Sequence, residues 1–172
     1  MVKTHLFWFS QDLRLHDNLA LHAASNCDQL LLVYCLDPAE FKPNRYGVRG
    51  MSQHRFRFLY EGLLDIDQQL QRLGQTLLIC MGNPIEVIST LIREHNIKQV
   101  FTSDSVGFYE RKRWQTLSQR HQEISFTRVN TTRLFESDQL PFSVENLPES
   151  FSGFRKRVED LPINAPCPRI TQ

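Results

Sequence analysis

The chain alternates short apolar runs with longer stretches in which apolar residues recur every three or four positions. The short runs predict five β-strands, at residues 4–9, 30–36, 76–81, 99–102 and 124–129. Most of these runs are apolar on both faces. That pattern favours a parallel sheet covered by helices on both sides.

The stretches between the runs predict helices. The strongest spans 52–73, where Phe56, Leu59, Leu63, Ile66, Leu70 and Leu73 follow one another at spacings of three and four. Asp17 can cap a helix over 18–26, Asn83 begins another with proline in its first turn, and a fourth covers about 108–121.

The resulting β-α-β-α-β-α-β-α-β order predicts an α/β fold, a doubly wound, Rossmann-like, five-stranded parallel sheet with strand order 3-2-1-4-5. Ligands then bind between strands one and four, facing residues 10–14 and 103–111. The periodicity fades near residue 130. We therefore expect a domain over 1–135 and a C-terminal extension and linker over 136–172.

Composition narrows the class of protein. Twenty Lys and Arg against nineteen Asp and Glu give a net charge of +1, which argues against a large basic nucleic-acid surface. No apolar run reaches the ~18 residues of a membrane span, and we expect no signal peptide, because no small-residue cleavage site follows the first apolar run. The four cysteines form no C-x-x-C pair, so we expect free thiols and a cytoplasmic, reducing location.

Chemical motifs are sparse. There is neither G-x-G-x-x-G nor a P-loop. Asp12, Asp37 and Asp104 follow strands, where capping or an ion pair, such as Asp12 with Arg14, is the simpler role. Glu110 suits the first turn of a helix. The six histidines are expected at the surface or in caps, and no metal site is predicted.

Residues 8–21 resemble the opening of photolyases and cryptochromes, W-F-R-x-D-L-R-x-x-D-N-x-A-L. Residues 33–38, Arg55 and 58–65 are similar to the DASH cryptochromes. So are Leu-Pro-Phe at 140–142, 147–151, and Phe-Arg-Lys-Arg-Val-Glu at 154–159. The resemblance covers about residues 3–160 and identifies the chain as the N-terminal domain of a DASH-type cryptochrome or photolyase.

The resemblance implies a full-length protein with a larger helical domain that holds FAD. Such a protein is a blue-light photoreceptor, a repair enzyme for cyclobutane pyrimidine dimers in single-stranded DNA, or both. The helical domain is the expected partner of this chain and lies outside it. We therefore expect no photolyase activity from the chain alone.

The resemblance also implies a light-harvesting antenna, methenyltetrahydrofolate in many DASH members. Glu110 matches the carboxylate that accepts hydrogen bonds from the pterin, Tyr109 stands where some folate-binding photolyases have Asn, and Arg49 aligns near a polar folate contact. Ser10 stands where the family usually has Arg. The resemblance implies that this Arg and an acid such as Asp104 contribute to deazaflavin-type antenna sites, so its replacement argues against such an antenna. The chain alone should bind folate weakly, because a shared pocket lacks one wall.

Two other functions fit the residues less fully. A stand-alone nucleotide-binding module resembling electron-transfer flavoproteins would explain the fold but not the extension. A non-binding scaffold that docks the helical domain would expose apolar surface, with Phe142, Phe151 and Phe154 as candidates.

Overall fold

The computed structural model describes residues 2–170 and contains five parallel strands in one sheet. They are β1 (Thr4–Phe9), β2 (Gln29–Leu36), β3 (Leu77–Met81), β4 (Gln99–Ser103) and β5 (Ser125–Val129). Their spatial order is β3-β2-β1-β4-β5. The predicted strand order is therefore confirmed.

Five α-helices alternate with the strands and follow them. They are α1 (Leu19–Ala24), α2 (Gln53–Gln71), α3 (Pro84–Glu94), α4 (Phe108–Arg120) and α5 (Phe151–Val158). Two short 3-10 turns lie at Pro38–Phe41 and Val144–Asn146. None of the helices in the described part of the chain is long and apolar enough to cross a membrane.

Two apolar cores cover the two faces of the sheet. On one face, Phe7 and Phe9 of β1 pack with Leu63 and Ile66 of α2 and with the buried side of α1. On the other face, Leu6 of β1 and Val33 of β2 pack with Ile88 of α3 and Leu117 of α4. Burial on both faces explains why the central strands read as continuous apolar runs.

The long helix α2 forms where its periodicity predicts it, although it is shorter than 52–73. Ser52 is its N-cap, and its hydroxyl accepts the backbone N–H of Arg55. Leu63, Ile66 and Leu70 are fully buried. Phe56, nearer the start of the helix, is half-buried and packs edge-on against Phe41, with ring centroids 5.3 Å apart.

The prediction that Asp17 caps α1 is wrong. Asn18 is the N-cap, and its side-chain oxygen accepts the backbone N–H of Leu21 at 3.0 Å. Asp17 has φ of +51°, a left-handed conformation that does not suit an N-cap. Its carboxylate instead accepts the backbone N–H of Cys167 at 2.9 Å, a contact 150 positions away in the sequence.

Two histidines are buried. His5 has 2% exposure, and its Nδ1 lies 2.8 Å from the carbonyl oxygen of Ala24. His121 is the C-cap of α4, and its Nε2 lies 2.8 Å from the hydroxyl of Ser89. The expectation of surface or capping positions is thus wrong for His5 and right for His121.

The chain divides into two compact units. The first runs to Thr131 and includes the tail from Cys167 onward; the second spans 132–166. In the second unit, Phe142 and Phe154 pack edge-on with centroids 5.7 Å apart, and the Arg157 guanidinium lies 5.9 Å from the Phe142 ring centroid. Of the three phenylalanines expected at its surface, only Phe151 is mostly exposed.

Replacing Asn18 by Ala tests the cap. Asn18 is 1% exposed and also donates to the carbonyl oxygen of Arg14 at 3.1 Å. Its loss leaves buried backbone groups unpaired, so we expect the free energy of unfolding to fall by about 1–2 kcal/mol. Urea unfolding followed by circular dichroism measures this.

Asn83→Ala is the matched comparison, because Asn83 caps α3 from an exposed position. It should cost about 1 kcal/mol or less. A smaller loss for Asn18→Ala than for Asn83→Ala would contradict the role given to the buried cap.

Candidate active cleft at the carboxyl ends of the strands

A cleft of about 440 Å³ opens beyond the carboxyl ends of β1, β2 and β4. The chain leaves β1 toward one side of the sheet and β4 toward the other, so the connections diverge and leave a crevice. Ser10 and Gln11 after β1, and Ser103 and Ser105 at the end of β4, line it. This is the crevice predicted from the strand order.

Aromatic side chains form much of the cleft wall. Trp8 and Tyr34 come from β1 and β2, Phe58 from α2 and Trp114 from α4. Phe58 is 81% exposed, whereas Trp114 is buried and packs edge-on against Phe126 at 5.3 Å between centroids. Such walls suit a flat heterocyclic ligand, because aromatic faces stack on one another.

Burial changes the acidity of two groups in the cleft. The pKa of the Tyr34 phenol is raised to about 12, chiefly by burial and then by the nearby Glu40 carboxylate. The pKa of the Cys35 thiol is also raised to about 12 by burial and by neighbouring Cys80. Both groups are therefore neutral at physiological pH, and neither is an activated nucleophile.

Ion pairs hold two arginines of the cleft in place. The Arg113 guanidinium lies 2.6 Å from the Asp37 carboxylate and 3.9 Å from that of Glu40. The Asp37 carboxylate also caps the following 3-10 turn by accepting the backbone N–H of Ala39. Arg128 pairs with Asp104 at 3.5 Å. Capping and ion pairing, the simpler roles predicted for Asp37 and Asp104, are confirmed.

Glu110 lies in the first turn of α4 and lines the cleft. Its carboxylate lies over Gly107, the N-cap residue, where any larger side chain would overlap it. A carboxylate here interacts favourably with the helix dipole. Because Gly107 has no side chain, the carboxylate can lie at the cleft edge rather than point away from it.

A buried polar junction fixes the loops that line the cleft. Asp12 accepts hydrogen bonds from the hydroxyls of Ser103 and Thr131, the latter at 3.1 Å, and from the Asn18 amide at 3.4 Å. The predicted pair of Asp12 with Arg14 does not form. Arg14 donates instead to the carbonyl oxygens of Asp17 and Thr131.

The five residues singled out from the sequence lie in different places. Ser10 and Glu110 line the cleft, whereas Asp104 does not line it but pairs with Arg128, which does. Tyr109 is 71% exposed and contacts Phe108 edge-on. Arg49 lies in an exposed loop, bridged to Pro43. Neither Tyr109 nor Arg49 lines the cleft.

Sequence reasoning missed several cleft residues, including Tyr34, Arg55 and Phe58. Phe58 could have been predicted from the sequence, since it is a large apolar residue outside the buried stripe of α2 and therefore a candidate for a binding surface. Among residues 2–170 there is also no group of three or more His, Cys, Asp or Glu side chains that could hold a metal ion.

A profile of the DNA photolyase family matches residues 5–169, almost the whole chain. The chain belongs to the DNA photolyase family.

Individual relatives agree. Cryptochrome DASH of Idiomarina loihiensis is 38% identical over 160 residues, which cover 92% of this chain and 36% of that protein. Cryptochrome DASH of Gloeobacter violaceus is 34% identical and covers 96% of this chain and 34% of its own length. The photolyase-family chain therefore spans about a third of the length of these relatives.

A solved structure shares the fold. The crystal structure of a Synechocystis cryptochrome superposes with a TM-score of 0.84 at 31% identity, over 92% of this chain and 34% of that one. These matches favour the photolyase family over the alternative of a module resembling electron-transfer flavoproteins.

The raised pKa of Tyr34 predicts a pH dependence of stability. Ionisation of the Tyr34 phenol is disfavoured in the folded state. The stability that the protonated phenol contributes is therefore complete below pH ~10 and is lost as pH rises toward 12. We expect the free energy of unfolding to fall over that window, and to fall less steeply in Tyr34→Phe.

Urea unfolding at a series of pH values measures both slopes. Tyr46→Phe is the control, because Tyr46 is 71% exposed and lies outside the cleft. Equal slopes for wild type and Tyr34→Phe would show that the Tyr34 phenol is not penalised by burial.

Proposed function

We propose that this chain forms the antenna-binding part of a light-harvesting photolyase-family protein and that its cleft takes methenyltetrahydrofolate. The observation that carries this proposal is the Glu110 carboxylate at the edge of an aromatic-walled cleft of about 440 Å³. That volume lies within the range of small-molecule sites, about 300–1,000 Å³.

The residues present fit a pterin ring. A pterin offers an amino group and a ring N–H side by side, and a carboxylate can accept both. Trp8, Tyr34 and Phe58 supply the aromatic surface against which a flat ring packs. Arg111 brings a guanidinium to the same cleft, which suits the carboxylates of a folate tail.

Glu110 then has one task, to orient the ring. Its carboxylate accepts hydrogen bonds from the ligand, and the dipole of α4 stabilises the negative charge of that carboxylate. The neutral Tyr34 phenol can donate to a ligand acceptor without adding a second negative charge. When bound, the antenna supplies absorption of near-ultraviolet light and transfer of that energy.

The remaining functions belong to the full-length protein in this proposal. There, a helical domain holds FAD, closes the antenna site and receives the pyrimidine dimer of single-stranded DNA. Family membership and the one-third coverage of the DASH relatives support this division of labour. Blue-light sensing, dimer repair or both follow from that domain.

Replacing Glu110 by Gln tests the assignment. Gln keeps the shape of the side chain and removes its charge. Loss of charge-assisted hydrogen bonds, at about 1.5–3 kcal/mol, should weaken methenyltetrahydrofolate binding about ten- to hundredfold. Fluorescence titration of the folate into the purified chain measures the dissociation constants.

Glu94→Gln is the matched control, since Glu94 is an exposed glutamate at the end of α3, outside the cleft. FAD and a deazaflavin are titrated in parallel. Equal folate affinity for wild type and Glu110→Gln, or saturable binding of a flavin and not of folate, would contradict the proposal.

Gly107→Ala tests how Glu110 is positioned. The added methyl group overlaps the Glu110 carboxylate and should push it from the cleft edge. Since the displaced atoms are the end of a flexible side chain, stability should fall by no more than about 1 kcal/mol. Folate affinity should fall in the same direction as in Glu110→Gln.

The matched control is Val106→Ala, one residue earlier and 83% exposed. Circular dichroism melting separates lost binding from lost folding. Wild-type affinity in Gly107→Ala, together with weakened binding in Glu110→Gln, would show that Glu110 reaches the ligand from another conformation.

A further inference from the structure

Within residues 2–170 the sheet ends at β3, whose outer edge has no neighbouring strand. The direction of its backbone groups follows from two hydrogen bonds. Gly82 donates its N–H to the carbonyl oxygen of Leu36 in β2, and Leu77 donates its N–H outward to the Asp67 carboxylate of α2 at 3.0 Å. By alternation, the N–H and C=O groups of Ile79 and Met81 point away from the sheet.

These outward positions are accessible. Met81 is 74% exposed and Ile79 is 46% exposed. Backbone groups of this kind form a template for another strand. The Asp67 carboxylate already occupies the outward N–H of Leu77, so the available donors are confined to Ile79 and Met81.

The charge pattern around β3 permits contact with an identical strand. Residues 73–85 contain no Asp, Glu, Lys, Arg or His, although 23% of the chain is Asp, Glu, Lys or Arg. The opposite edge differs, because β5 carries Arg128, paired with Asp104. Charged residues on an edge strand discourage pairing, and β3 lacks this protection.

We propose that the β3 edge pairs antiparallel with the β3 edge of a second copy of this chain, about a two-fold axis at Cys80. In this register Ile79 of each copy lies opposite Met81 of the other. Each such pair exchanges two backbone hydrogen bonds, four in all. The hydrogen bond from Leu77 to Asp67 remains intact, which a register centred on Ile79 would not allow.

A second copy suits this edge better than a charged partner does. The strand is uncharged and self-complementary, so two copies meet without like-charge repulsion. One pair of short strands buries less than the ~1,200 Å² of a standard stable interface, so the dimer should be weak and concentration-dependent. The inference does not rest on the antenna function.

Sedimentation equilibrium of the whole chain provides the first test. We expect the mass to rise from 20.2 kDa toward twice that value between about 10 μM and about 1 mM protein. Met81→Lys should keep the chain monomeric, because each lysine would place a charge against Ile79 of the other copy and diagonally across from the other lysine, whereas Met81→Leu should associate like wild type. Val106→Lys, an exposed substitution away from β3, should also associate.

The register is tested by cross-linking. Cys80 would lie directly opposite Cys80 of the second copy in a pair without mutual hydrogen bonds, at about 4.5 Å between Cα atoms. Oxidised glutathione should therefore oxidise two Cys80 thiols to an intermolecular disulfide. In the same reaction the glutathione disulfide is reduced to two glutathione thiols. Cys80→Ser should abolish the covalent dimer while the reversible association persists.

Three results would overturn the proposal. They are a monomer at every concentration, association that survives in Met81→Lys, and a covalent dimer formed through Cys27, Cys35 or Cys167. Hydrogen exchange adds a backbone readout that is independent of side-chain changes. The amides of Ile79 and Met81 should gain protection as protein concentration rises, and unchanged protection would count against strand pairing.

Discussion

The buried carboxylate of Asp12 is the interaction on which the arrangement of the cleft depends. It joins the turn after β1 to Ser103 at the end of β4, to Thr131 beyond β5 and to the cap residue Asn18. A carboxylate that is 8% exposed is costly to bury unless it is hydrogen-bonded; here its Oδ2 accepts all three hydrogen bonds, whereas Oδ1 has no partner among the described residues. The loops that line the cleft are thereby fixed relative to one another.

Local patterns were enough to predict the sheet but not this junction. Apolar runs and helical spacing predict the five strands and the helices α1 to α4 to within a few residues, because each reflects burial of a nearby face. The cap of α1 was assigned to Asp17 rather than Asn18, two adjacent residues with equal capping ability. In the structure the Asp17 carboxylate accepts the backbone N–H of Cys167, a contact 150 positions away that no local pattern contains.

The same limit applies to the site. Strand order and the family resemblance together led to Ser10 and Glu110, which do line the cleft. Arg49 was chosen by alignment, yet the loop that carries it leaves it exposed outside the cleft. Arg55 and Phe58 were missed, since their place in the wall depends on how the start of α2 lies against the strand ends.

Burial in the cleft affects both the pKa values of its side chains and the strength of the hydrogen bonds formed there. Burial raises the pKa of Tyr34 and Cys35, because the charged form of each group would be poorly solvated there. In such surroundings a hydrogen bond to a charged group is stronger than in water, and an unpaired one is more costly. In the antenna site proposed above, Glu110 lies in the first turn of α4 at such a cleft, and its carboxylate is the group that would discriminate a ring with two adjacent donors from one without them.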